Sequence, residues 1–140
     1  GHFKTEVSSI SVGQFTVFAL SFDLPTLFAN KIMAFLQRNF FKGKEQTESF
    51  KGRDLFDLAW FLERSKKTNW ELRPNLERLS RGLEIKDPKK ITKMLIQKVK
   101  KVDKNGVYTD LLPFIESSQS LENFVANFNQ IIEENIKFVL

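Results

Sequence analysis

No cysteine occurs among the 140 residues, and histidine occurs once, as His2. The first absence excludes a disulfide scaffold, a thiolate nucleophile and any cysteine-held metal. The second leaves histidine-based catalysis and zinc sites without their usual ligands. No apolar run reaches the roughly 18 residues that a membrane-spanning helix needs, and no signal-peptide pattern opens the chain. The sequence therefore reads as a soluble, cytoplasmic domain without a membrane partner. Aromatics with a polar handle are scarce: one Tyr and two Trp against 15 Phe. Phe carries no hydrogen-bonding group and reads as core filler. Charged residues at 28% and hydrophobic types at 41% exclude wholesale disorder. The length suits one compact domain.

What is present is unevenly distributed. The formal charge is only +5, yet residues 86–104 hold Lys86, Lys89, Lys90, Lys93, Lys98, Lys100, Lys101 and Lys104 against Asp87 and Asp103. From Asp110 onward the acids are Asp110, Glu116, Glu122, Glu133 and Glu134, against Lys137. Such asymmetry points to an anionic partner on one face, or to two faces solvated differently.

Residues 1–22 differ from the rest. Residues 5–12 and 15–22 are rich in β-branched and aromatic types around Gly13-Gln14, a pattern that predicts a β-hairpin. A bare hairpin is marginal in water, and its open edges favour self-pairing in a crystal. From Asp23 the spacing turns helical. Pro25 suits a first turn, ahead of an apolar stripe of Leu27, Phe28, Ile32, Phe35 and Leu36. Further helices are predicted from Gly52-Arg53 to Lys66 and over 74–83. Another starts with Asp87 as N-cap and Pro88 in the first turn, and ends at Asn105-Gly106. A short one is predicted over 110–116 and the last from Ser120. The fold class expected is α+β, mainly α. The hairpin (1–22) leads into two motif-bearing helices (23–66) and a C-terminal helical bundle (67–140).

The informative stretch is Lys51-Gly-Arg-Asp-Leu-Phe-Asp-Leu-Ala-Trp-Phe-Leu62. Between Leu55 and Leu62 only Asp57 is polar, and a helix apolar nearly all round is buried nearly all round. An unpaired carboxylate there is very costly. Asp54 neighbours it on the same side, so cations are required. Lys31 and Arg38 lie two turns apart on the preceding helix, hence on one face, and Arg53 is a third candidate. Lys31, Arg38, Arg53, Asp54 and Asp57 therefore form either a structural ion-pair network or an anion site in which carboxylates aim the cations at phosphate.

Leu27-Phe-Ala-Asn-Lys-Ile-Met-Ala-Phe-Leu-Gln-Arg38, a loop, and Lys51-Gly-Arg-Asp-Leu-Phe-Asp-Leu58 resemble the downstream motifs of the AbiEii/AbiGii-type nucleotidyltransferase toxins. In that pattern a Lys and an Arg on one helix precede Arg-Asp-x-x-Asp at the start of the next. The resemblance spans roughly residues 16–62 and implies Mg²⁺-dependent NTP binding and nucleotide transfer, with RNA (tRNA among them) as acceptor and an antitoxin protein as partner. It assigns Lys31 to the triphosphate, Arg38 to phosphate contact or support of Lys31, Asp57 to orienting Lys31, and Arg53 and Asp54 to bracing the helix start. The hairpin becomes the remnant edge of the family's sheet. The upstream Gly-Ser and Asp-x-Asp that would hold the metals do not occur in these residues. The chain thus reads as the C-terminal portion of such an enzyme, inactive alone, with no metal ligand and no cofactor of its own.

Lys90, Lys93, Lys100, Lys101 and Lys104 fall opposite Ile91, Leu95 and Val102 on the predicted fourth helix. Such a face is either solvated or tracks RNA phosphates. That leaves an alternative of another class, a non-catalytic helical module binding RNA or a protein partner.

Overall fold

The computed structural model describes residues 23–37 and 52–140. Its elements are α1 (Leu24–Gln37), α2 (Gly52–Lys67), α3 (Leu76–Leu83), α4 (Pro88–Lys100), α5 (Lys104–Leu111), α6 (Ser118–Asn135) and a closing 3-10 turn (Ile136–Phe138). Among the described residues there is no strand. The α+β expectation is corrected accordingly, and the described fold is all-helical. The hairpin expected over residues 1–22 lies outside the described residues, as does Arg38.

Side-chain oxygens start most of the helices by accepting otherwise orphaned N–H groups. Asp23 accepts from Thr26 N at 2.8 Å, Asn75 from Arg78 N at 3.1 Å, Asp87 from Lys89 N at 3.0 Å and Ser117 from Ser120 N at 3.1 Å. Capping also explains the clearest boundary error. Asn105-Gly106 does not stop α4, which ends at Lys100. Asp103 accepts from Asn105 N at 3.3 Å and opens α5, so Asn105 and Gly106 lie within that helix. Buried Val102 pins the corner between the two. The helix expected over 110–116 is thereby moved upstream, and Pro113 falls in the turn after it. The third helix starts two residues later than predicted, because Asn75 rather than Pro74 marks its entry.

The helices pack around α2, which contacts α1, α5 and α6, while α3 rests on α1 and α4 spans α6 and α1. Phe28, Phe35, Phe61 and Phe128 are fully buried, as their lack of a polar group predicts. Phe28 of α1 stacks on Phe61 of α2 with centroids 4.9 Å apart, so the two helices that carry the motif are locked face to face. α2 exits through Asn69 and Trp70, both at positive φ (57° and 66°). That uncommon conformation is secured by Trp70 N donating to Ser65 O at 2.7 Å and by Trp70 stacking on Phe138. No helix among the described residues is long and apolar enough to cross a membrane.

Truncating Phe61 to Ala should remove the stack and leave a cavity, destabilising the fold by about 3–5 kcal/mol in urea denaturation. A loss under about 1 kcal/mol would mean that this α1–α2 contact is not tightly packed.

Candidate functional site

Lys31 leaves the middle of α1 and Asp57 the second turn of α2, and the two meet with Nζ 2.9 Å from Oδ2. Only 9% of the Asp57 side chain is exposed, against 28% for Lys31. The pair is therefore asymmetric: the carboxylate is enclosed by the apolar face of α2, while the ammonium keeps one side open to solvent. Burial pushes the Asp57 carboxyl above the ordinary carboxylate range, and Lys31 pulls it back by charge and by hydrogen bond. Asp54 adds a further upward push and Arg53 a downward one. Desolvation remains the larger effect.

The other expected members are placed differently. Asp54 is buried in the first turn of α2, where a negative charge suits the helix dipole. Gly52 N donates to Asp110 Oδ2 of α5 at 2.5 Å. A Cβ at Gly52 would come 3.0 Å from Asp110 Cβ and 3.3 Å from Val107 O, so a side chain there would press on α5 and push it back by a few tenths of an ångström. Arg53 places its guanidinium carbon 4.6 Å over the Phe114 ring, between α5 and α6, a contact that competes with the phosphate role expected of it.

The lysine face is also redrawn. Lys90, Lys93, Lys100 and Lys101 are exposed on α4 together with Lys89. Lys104 begins α5 and lies 6.0 Å from the centroid of the Phe128 ring. Lys98 turns inward: its Nζ donates to Leu36 O at 2.7 Å, over Phe35, and burial lowers its pKa to about 8. Its position among Ile91, Met94, Leu95 and Val102 on the apolar side was the available signal. Another unanticipated contact joins Arg78 Nε of α3 to Asn30 Oδ1 of α1 at 2.6 Å. Neither residue stands out in the linear pattern.

The arrangement can hold an anion: a half-open ammonium, aimed by a carboxylate that is itself largely shielded from water. A metal fits it poorly. Asp57 is already engaged by Lys31, and among the described residues no group of three His, Cys, Asp or Glu side chains converges as a metal site. Comparison of the chain with family models, curated proteins and solved structures finds no match.

The raised Asp57 pKa fixes the sign of a pH effect. Between its unfolded and folded values the folded state binds more protons, so the stability contributed by the protonated form is full below the unfolded value. It is lost as pH rises through the folded value. Asp57→Asn should abolish that decline and cost less than about 1 kcal/mol at pH 7, because Lys31 can still reach water. Lys31→Met strands the buried carboxylate and should cost about 3 kcal/mol at pH 7, shrinking in acid. Urea midpoints of both variants at pH 4.5 and 7 check this, and equal costs at both values would contradict the asymmetry.

Proposed function

We propose that this chain is the helical, phosphate-contacting portion of a cytoplasmic nucleotidyltransferase similar to the AbiEii/AbiGii-type toxins. The single observation that carries the reading is the Lys31–Asp57 pair: a buried carboxylate orienting a solvent-facing ammonium across two helices whose sequence carries the motif. A point charge on a flexible stem gains direction when a fixed carboxylate holds it. Lys31 would meet the triphosphate of an incoming nucleotide, and Arg38, seven residues on in the sequence, would share that load. Mg²⁺ would be held by aspartates outside this chain, so the chain alone is inactive, and no catalytic step is derived from it. RNA as acceptor and an antitoxin protein as regulator belong to the same reading.

The test uses the protein that carries this chain together with its metal-holding aspartates. Lys31→Met/Asp57→Asn removes both charges of the pair and strands neither, which avoids the unfolding expected of Lys31→Met alone. Calorimetric titration with each NTP should show affinity lowered by at least about tenfold, the scale of one lost charge-assisted phosphate contact. Unchanged affinity would remove Lys31 from the nucleotide site.

A second reading, non-catalytic RNA binding, is favoured by one feature of α4. Lys89, Lys90, Lys93, Lys100 and Lys101 fall within an arc of about 120° at 100° per residue. No acid lies in the first turn of that helix. Lys89 and Lys90 sit at its positive end, where the dipole disfavours them. A one-sided stripe whose first two lysines oppose the dipole and whose last two accord with it suits a phosphate-tracking surface. Affinity for a duplex RNA should fall steeply between about 50 and 200 mM salt, and replacing Lys93 and Lys100 by Ala should flatten the slope by about two contacts. A salt-independent affinity would sink this reading.

A further inference from the structure

Round α1 from Lys31, the helix faces α3 across a cleft of about 520 Å³. At 100° per residue Thr26, Asn30 and Met33 share an arc of about 60° on α1, well away from Lys31. Thr26 and Met33 line the cleft on this side, and Asn75, Glu77, Arg78, Arg81 and Gly82 line it on the other, so its one carboxylate is that of Glu77. The walls are held at a fixed separation: Asn75 N donates to Pro25 O at 2.9 Å, and α1 packs along α3.

The two arginines are not equivalent. Arg81 Nη2 pairs with Glu77 Oε1 at 2.8 Å, one turn away on the exposed rim. Arg78 is oriented by a neutral group, its Nε donating to Asn30 Oδ1 at 2.6 Å, and no described carboxylate pairs with it. A guanidinium offers five donors in a rigid fork, and this bond uses one. Arg78 therefore keeps its full charge and its Nη donors while the plane of the fork is set in advance. That is the arrangement that recognises a phosphate bidentately at low entropic cost. Met33 lies between the two walls. A Cβ on Gly82 would come 2.2 Å from Met33 Sδ, so only the bare backbone of α3 lets the thioether lie there. A polarizable sulfur makes favourable contact with a flat aromatic ring. The volume falls within the ~300–1,000 Å³ usual for small-molecule sites.

We propose that this cleft binds a phosphate monoester of mononucleotide size, with the phosphate on the Nη donors of Arg78 and the base against Met33. The site uses neither Lys31 nor Asp57 and is independent of the reading above.

The probe is AMP, titrated into the isotope-labelled 140-residue chain by NMR and calorimetry, with inorganic phosphate as the comparison. Saturable shifts at Thr26, Met33 and Gly82 are expected, with phosphate alone binding more weakly for want of the Met33 contact. Arg78→Ala, an exposed change outside the core, should weaken AMP by at least about tenfold. Asn30→Ala keeps the charge but frees the fork, and should weaken AMP by about threefold through lost preorganisation. Lys31→Met/Asp57→Asn should leave AMP affinity unchanged, so that failure of this site and failure of the Lys31 site are read separately. The proposal is overturned by the absence of saturation below about 10 mM AMP, by undiminished binding in Arg78→Ala, or by a hexaglutamate peptide occupying the cleft in preference to AMP.

Discussion

A carboxylate enclosed by apolar side chains has to be neutralised or protonated, and the first three helices are arranged around how Asp57 meets that demand. Removing such a group from water costs several kcal/mol even after relaxation. A cation placed within hydrogen-bonding distance offsets part of that cost. Lys31 supplies that cation from α1, which fixes the rotation of α1 relative to α2. The stacking of Phe28 on Phe61 is the apolar counterpart of the same registration. With α1 so oriented, Thr26, Asn30 and Met33 are turned toward α3, where the cleft forms.

The remaining polar contacts hold this frame at its ends. Asp110 closes the N-terminus of α2 from α5, at a point where the two helices approach closely over a glycine. Lys98 closes the C-terminal end of α1 from α4 by donating to Leu36 O, where exposed carbonyls and the negative end of the helix dipole favour a cation. The end of the motif-bearing pair where α1 stops and α2 starts is thus tied to helices that come later in the chain. The segment that carries the motif is positioned by the C-terminal bundle and does not stand apart from it.

Within this frame the polar groups divide by how they face solvent. Asp57 is inside and acts through Lys31; Lys31 and Arg78 are at the surface with donors to spare. An ammonium held by a carboxylate and a guanidinium held by an amide are two ways of keeping a long cationic side chain still. Arg81, tied to Glu77 on the exposed rim, lacks that pre-set freedom. Arg53 is directed to Phe114.

Much of this was written in the linear pattern. The helical stripes, the Asp87-Pro88 start and the single acid in the apolar run of 55–62 were legible, because burial and capping follow from periods of a few residues. The same pattern named Lys31 as a partner for Asp57, since a buried charge restricts its neighbours severely. It misjudged Asn105-Gly106, where a breaker pair competed with the stronger capping of Asp103, and it therefore placed Lys104 on the fourth helix when it begins the fifth. The sequence by itself determined which faces are buried and that Asp57 needs a cation. Only the tertiary structure decided that Asp110 caps Gly52, that Lys98 reaches Leu36 and that Arg78 is held by Asn30, because contacts 48 to 62 residues apart are set by how helices dock and no local spacing records them.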